Sequence, residues 1–140
     1  DVNDAANASS DRGRSTPLGK AVPATVESLP KACCHAFLNC TPVGMAGGPD
    51  PEGVAVPVRS MANLGPNTLF FDTVYNPVET PLIREARAHG YPTIDGVEMF
   101  VRQAAEQFTL WTGNPAPIDL FDTLCRERLT RASRTDEESA

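Results

Sequence analysis

Three groups of residues have types and spacings that could bind a small polar ligand. The segment "NCTPVGMAGG", residues 39–48, contains three glycines, which allow a ligand to approach the backbone closely. Tyr75 and Asn76 follow an apolar run, and Met99 and Gln103 stand four residues apart in a helical pattern. Hydroxyl, amide and backbone groups of this kind can form hydrogen bonds with a ligand. These residues are the candidate binding groups.

Three short apolar runs are the candidate strands that must position these groups. They cover residues 36–40, 67–75 and 91–95. Their apolarity is continuous rather than alternating, which is typical of strands covered on both faces, and the helical patterns between them favour parallel pairing. Open α/β sheets bind ligands at the carboxyl ends of their strands. The sequence therefore predicts an α/β fold with the glycine-containing loop and Tyr75 at that edge.

Two helices with clear start signals follow the second run. The first has Thr80 as N-cap, Pro81 as its first residue and Gly90 as terminator. In the second, Asp95 and Glu98 resemble a capping box. The residues predicted to face the core are Leu82, Ile83 and Ala86 in the first helix and Val97, Phe100, Val101, Ala104, Phe108 and Trp111 in the second.

The second helix is predicted to end at Gly113, and a last helix opens at Pro117. On the solvent face of the second helix, Glu98, Arg102 and Glu106 stand four residues apart and can form ion pairs. The methionine and glutamine named above fall outside both faces of this helix. A solvated glutamine and a core methionine are the plain structural alternatives to a binding role. The residues of the last helix predicted to pack are Ile118, Phe121, Leu124 and Cys125.

The composition limits the classes of partner. The 140 residues carry 12 basic and 18 acidic side chains, a net charge of −6, and the basic residues form no continuous patch, which argues against a nucleic-acid partner. No apolar stretch is long enough to span a bilayer, and the N-terminus lacks a signal-peptide pattern, so we expect no membrane association and a cytoplasmic location. The four cysteines are expected to be reduced and buried, with no metal site. They are Cys33, Cys34, Cys40 and Cys125.

The two ends of the chain are polar and poor in apolar residues. Residues 1–16 cannot offset their ordering entropy by burial and are predicted to be a flexible lead-in. Residues 131–140 are predicted to be a disordered tail for the same reason. One ordered unit is therefore expected over residues 17–130.

Three motifs resemble those of the shikimate dehydrogenase family. Residues 39–45, "NCTPVGM", are similar to the family's Asn-Ala-Thr-Pro-x-Gly-Met loop. Residues 71–90 resemble its Asp-x-x-Tyr-Asn-Pro-x-x-Thr-Pro-Leu segment, and residues 95–113 resemble its Asp-Gly-x-x-Met-x-x-x-Gln-Ala-Ala helix, in the form fused behind a dehydroquinate dehydratase. The resemblance implies that residues 17–130 are the second half of a Rossmann-like NADP-binding domain, with parallel strands and C-terminal closing helices.

The resemblance also implies an activity and residue roles. The activity is the reversible NADP-linked reduction of 3-dehydroshikimate to shikimate, in aromatic amino acid biosynthesis by way of chorismate. Tyr75 and Gln103 would hydrogen-bond the substrate. The residues that would hold the nicotinamide half of NADP are Asn39, Thr41, Pro42, Val43, Gly44, Met45, Gly96 and Met99.

Two expected parts of such an enzyme have no match in the sequence. The family's catalytic lysine and aspartate belong to a substrate-binding domain that precedes these motifs, and no G-x-G-x-x-G turn is present. We therefore expect no catalytic residue in this chain, an N-terminal substrate-binding domain elsewhere, and no activity from the isolated chain. An open sheet edge would favour a homodimer.

Two alternative functions remain open from the sequence. One is a non-catalytic module that binds a small molecule or a nucleotide. The other is a dehydrogenase of the same fold that acts on quinate or uses NAD.

Overall fold

A three-stranded parallel sheet organises the chain. The computed structural model describes residues 23–31, 34–61 and 64–138. The strands lie in the order β1-β2-β3 and all pair in parallel, with Phe37 opposite Phe70 and Phe70 opposite Thr93. This confirms the α/β prediction, although each strand is shorter than the apolar run that predicted it. The strands are β1 (Ala36–Asn39), β2 (Leu69–Asp72) and β3 (Thr93–Ile94).

Three α-helices and two short 3₁₀ helices complete the described fold. The predicted N-caps are confirmed, because Thr80 Oγ1 accepts a hydrogen bond from the Ile83 amide at 3.3 Å and Asp95 Oδ1 accepts one from the Glu98 amide at 2.9 Å. The α-helices are α1 (Pro81–Ala88), α2 (Gly96–Thr112) and α3 (Ile118–Glu138). The 3₁₀ helices are Val26–Lys31 and Val58–Ser60.

The main core lies between the sheet and α1. Phe37 and Phe70 stack with ring centroids 5.5 Å apart, and the ring centroid of Tyr91 is 5.4 Å from that of Phe70. Leu82 and Ala86 of α1 join this cluster, together with buried residues from the segment between β1 and β2. The core positions the carboxyl ends of β1 and β2 side by side.

One face of β1 is less covered than its apolarity predicts. The side chain of Leu38 is 56% exposed, whereas Phe37 and Asn39 are buried. The prediction that every strand is covered on both faces is therefore wrong for β1, since no described element packs over that face. An apolar sequence shows which side chains of a strand could be buried. The elements that pack against the strand determine which of them are buried.

The buried stripe of α2 is narrower than predicted. Phe100 is 45% exposed and Trp111 is 77% exposed, so these two assignments to the core are wrong. The buried side chains are those of Val97, Val101 and Ala105, at four-residue spacing, and Gly96 is buried as well. One helix, α3, packs along α2 among the described elements, and a single neighbour covers a narrow seam rather than a broad face.

The last helix also differs from its prediction. Phe121 of α3 packs edge-on against Phe108 at 5.8 Å, as a packed residue should. Ile118 and Leu124, however, are 43% and 53% exposed, so their predicted burial is wrong. The backbone of α3 is helical to Glu138, beyond the boundary at residue 130 predicted for the ordered unit.

The described cysteines are more exposed than predicted. Cys34 and Cys40 are exposed and Cys125 is half-buried, so the prediction of burial is wrong for the first two. Cys33 and the predicted lead-in over residues 1–16 lie outside the described residues. Within the described ranges no group of histidine, cysteine, aspartate and glutamate could hold a metal ion, and none of the helices there has the length and apolarity to cross a membrane.

Candidate functional site

A buried amide shapes the loop that follows β1. The side chain of Asn39 is 2% exposed. Its Nδ2 donates to the Val43 carbonyl oxygen at 3.1 Å, and its Oδ1 accepts from the Thr41 amide at 2.9 Å and the Thr41 hydroxyl at 2.7 Å. Asn39 thus lies behind the loop and fixes its conformation, while Thr41 and Pro42 are exposed in front of it.

Asp72, the last residue of β2, stabilises the same loop through a hydrogen bond with Asn39. Its carboxylate is fully buried and accepts hydrogen bonds from Asn39 Nδ2 at 3.0 Å, the Val74 amide at 3.0 Å and the Thr80 hydroxyl at 2.6 Å. These bonds join β1, β2 and the start of α1. This role was not predicted from the sequence, although the aspartate that closes the apolar run "LFFD" was a usable signal.

The glycine-containing loop turns back onto the end of β2. The amide of Ala46 donates to the Asn76 carbonyl oxygen at 2.8 Å, which places Met45 beside the Tyr75–Asn76 segment. Gly44 is buried with φ +84°, and a Cβ there would lie 3.3 Å from Pro81 Cδ. A side chain at Gly44 would be strained both by its backbone and by this contact.

The start of α2 lies directly against the end of β2. A Cβ on Gly96 would overlap the Val74 carbonyl oxygen and would stand 2.8 Å from the Tyr75 amide nitrogen. Only a residue without a side chain allows this approach. The structure therefore brings the β1 loop, the end of β2 and the first turn of α2 to one edge of the sheet, as the sequence predicted for its three motifs.

The predicted substrate residues lie on two sides of this edge. Tyr75 is 47% exposed, and its ring centroid is 5.6 Å from that of Phe100 on α2. Met99 is half-buried in the same turn, and Gln103, one turn further along α2, is exposed. A groove of about 350 Å³ runs from Tyr75 to Leu124 on α3. The lining of this groove is mainly apolar and does not include Gln103, so the structure places only Tyr75 of the predicted pair in it.

Asp95 is a second charged centre, at the junction of three helices. Its carboxylate is 6% exposed and receives two 3.2 Å hydrogen bonds from the Arg126 guanidinium of α3. Arg87 of α1 approaches it at 3.5 Å. Burial by itself would raise the pKa of Asp95, but the hydrogen bonds from Arg126 and the Glu98 amide and the charges of both arginines outweigh it, and the pKa is lowered. The carboxylate is therefore ionised at neutral pH.

Acid is expected to remove the stabilisation that Asp95 contributes. Because its pKa is lower in the folded chain than in the unfolded chain, where it is about 3.9, the contribution is present above about pH 4 and is lost as the pH falls through the folded value. We expect the difference in free energy of unfolding between wild type and Asp95→Asn, measured with urea, to be smaller at about pH 3 than at about pH 6. An equal difference at both pH values would contradict this assignment.

Known proteins are similar to this chain in sequence. A profile described as Shikimate 5'-dehydrogenase C-terminal domain matches residues 96–122. The shikimate dehydrogenase (NADP(+)) of Methanocella arvoryzae is 45% identical over 92 residues, which are 66% of this chain and 32% of that protein.

Solved structures give the same result. Shikimate 5-dehydrogenase from Thermus thermophilus, in complex with NADP(H) and shikimate, superposes with a TM-score of 0.60 and 30% identity over 77% of this chain and 38% of that one. Quinate dehydrogenase from Corynebacterium glutamicum, in complex with NAD, gives a TM-score of 0.62 and 31% identity over 74% of this chain and 36% of that one. The chain thus spans about a third of the length of the relatives that it matches.

Proposed function

Because this chain belongs to the shikimate dehydrogenase family, in which it corresponds to the C-terminal part, we propose that it forms the nicotinamide-facing half of an NADP-dependent shikimate dehydrogenase. The complete enzyme, acting in the cytoplasm, reduces 3-dehydroshikimate reversibly to shikimate. The observation that carries this proposal is the meeting of all three family motifs at one sheet edge. The Ala46–Asn76 hydrogen bond and the close approach of Gly96 to Val74 hold them there.

The loop and the first turn of α2 fit the nicotinamide end of a dinucleotide. Met45 is 37% exposed and presents a flexible apolar surface, and the glycine at position 96 lets the first turn of α2 lie against the backbone at Val74 and Tyr75. An apolar surface beside backbone polar groups suits a flat ring with a carboxamide. NADPH supplies a hydride in this chemistry. The residues that would form its binding site, by contact or by supporting the loop, are Asn39, Thr41, Pro42, Val43, Gly44, Met45, Gly96 and Met99.

Asn39 and the other loop residues contribute in different ways. The buried Asn39 side chain forms its hydrogen bonds with Asp72, Thr41 and Val43. It therefore stabilises the loop and does not contact the ligand. The exposed loop residues in front of it form the contact surface. The loop is therefore fixed before a ligand arrives, which lowers the entropy cost of binding.

Tyr75 and Gln103 bind the substrate under this proposal. The tyrosine hydroxyl and the glutamine amide can both donate to a carboxylate or a hydroxyl. The catalytic lysine and aspartate of the family lie on a substrate-binding domain outside these 140 residues. The chain alone is accordingly expected to bind ligand weakly and to oxidise no NADPH in the presence of 3-dehydroshikimate.

The role of Gln103 can be tested in a chimera. The matching segment of this chain replaces the C-terminal part of the Thermus thermophilus enzyme, and NADPH oxidation with 3-dehydroshikimate is measured by absorbance. Gln103→Ala is expected to lower kcat/KM by about 10- to 100-fold, the loss of one hydrogen bond to a polar substrate. Gln107→Ala, which removes another exposed glutamine from α2, is the matched control and should change kcat/KM by less than about twofold.

The outcomes of this assay separate the proposals. Equal rates for the two variants would remove Gln103 from the substrate site. The similarity to a quinate dehydrogenase in complex with NAD makes quinate with NAD the second candidate pair. In the full-length protein that contains this chain, a kcat/KM for quinate oxidation with NAD above that for shikimate oxidation with NADP would favour this second function.

A further inference from the structure

The α2–α3 helical pair joins the sheet through a small set of side chains. The main apolar cluster combines residues of β1, β2, α1 and the segment between the first two strands and, over the described part of the chain, contains none from α2 or α3. The two helices pack mainly on each other, as the rings of Phe108 and Phe121 illustrate. The orientation of the pair on the sheet therefore depends on the contacts near the start of α2.

Asp95 carries the charged contacts in that region. Its carboxylate lies between Arg87, which belongs to the sheet side of the molecule, and Arg126, which belongs to the helical pair. Arg87 is itself held on the sheet side, because its Nε donates to Thr93 Oγ1 at 3.1 Å and its Nη1 to Glu79 at 3.1 Å. One buried carboxylate thus connects the two parts of the fold.

The Arg126 guanidinium forms hydrogen bonds with two carboxylates, those of Asp95 and Asp122. Its two terminal nitrogens each donate to a different oxygen of Asp95 at 3.2 Å, and its Nε donates to both oxygens of Asp122 at 3.0 Å. A planar guanidinium in such a two-sided arrangement has little freedom to rotate. A lysine ammonium at this position could not reproduce it, because it is a single point charge.

We propose that Arg126 is a positioning residue that sets, through Asp95, the orientation of the α2–α3 pair on the sheet. Met99 and Gln103 are residues of α2, whereas Met45 and Tyr75 lie in the segments that follow β1 and β2. Arg126 therefore fixes the geometry between the two halves of the candidate site. The consequence for catalysis rests on the proposed function, and the structural consequence does not.

Residual dipolar couplings of the ¹⁵N-labelled 140-residue chain test the structural consequence. In the wild type, amides of the strands and of all three α-helices should fit one alignment tensor with the orientation described here. In Arg126→Lys and Arg126→Gln, the couplings of α2 and α3 should require a different orientation or a smaller amplitude than those of β1–β3 and α1. The matched control is Arg102→Gln, which removes an exposed arginine that pairs with Glu98 along α2.

The control and the lysine variant make the result decisive. Arg102→Gln should leave all couplings on the wild-type tensor. If Arg126→Gln does not fold, Arg126→Lys, which keeps the charge, decides the question. Couplings in Arg126→Lys that match those of Arg102→Gln would overturn the proposal.

Kinetics in the chimeric enzyme test the catalytic consequence. Arg126→Lys is expected to lower kcat per folded molecule by about 10- to 100-fold, as a displaced reacting geometry does, with little change in the KM for NADPH. A purely structural role would reduce the folded fraction and leave kcat per folded molecule equal to that of Arg102→Gln, which would overturn the positioning role. Absence of NADPH oxidation by the unmutated chimera would count against the proposed function, while the couplings would still decide the orientation.

Discussion

Replacing Gly96 by alanine is expected to lower the free energy of unfolding by about 3 kcal/mol, near the upper end for an overpacked site. The new Cβ would overlap the Val74 carbonyl oxygen and stand 2.8 Å from the Tyr75 amide nitrogen. Both obstacles are backbone atoms, which cannot rotate away as a side-chain terminus can. The first turn of α2 must therefore move off β2.

Urea denaturation and amide NMR spectra measure this effect. The largest chemical-shift changes should fall on Val74, Tyr75 and the first turn of α2. Gly65→Ala is the matched control, because a Cβ there meets nothing closer than Thr68 Oγ1 at 3.9 Å and φ is not positive. We expect the control to change stability by less than about 0.5 kcal/mol. If Gly96→Ala is as stable as the control, the first turn of α2 does not contact the end of β2 as closely as the structure shows.

Removing the Asp72 carboxylate is expected to lower the free energy of unfolding by about 3 to 5 kcal/mol, since several buried donors lose a charged acceptor. In Asp72→Ala, the Asn39 amide, the Val74 amide and the Thr80 hydroxyl lose their shared partner. The loop after β1 should also lose order, because Asn39 holds it.

A graded series of variants isolates the carboxylate. Asp72→Asn keeps one acceptor oxygen and the volume, so a smaller loss of about 1 to 2 kcal/mol is expected. Glu52→Ala removes an exposed carboxylate from the segment between β1 and β2 and should be nearly neutral, within about 0.5 kcal/mol. If Asp72→Ala lowers the free energy of unfolding no more than Glu52→Ala does, the hydrogen bonds to Asp72 do not stabilise the fold, because water replaces them at no cost.

Local chemistry made the helix boundaries predictable. Thr80 and Asp95 cap their helices through amides three residues ahead, and Gly113 ends α2 in the left-handed conformation. Each of these features depends on a few neighbouring residues, which the sequence displays directly. The parallel pairing of β2 with β3 was predictable for a related reason, since a helix between two apolar runs leaves few other topologies. Between β1 and β2 the described residues contain the 3₁₀ helix Val58–Ser60 and no α-helix, so the predicted helical connection is wrong there.

Exposure was less predictable than secondary structure. The helical period placed Phe100 and Trp111 on the apolar stripe of α2, yet both are substantially exposed. A period states which residues share a face, while the packing partner determines how much of that face is covered. Leu38 on β1 is exposed for the same reason.

By itself, the sequence determined the class of fold, the N-caps of α1 and α2, the end of α2 at Gly113 and the three motifs that meet at the sheet edge. Only the tertiary structure decided which polar groups are buried together. Asn39 and Asp72 are separated by 33 residues, and Asp95 and Arg126 by 31. No local pattern connects such pairs, because their hydrogen bonds exist only once the strands and helices have packed. Burial then makes each bond difficult to replace with water, which is why these distant pairs hold the candidate site in place.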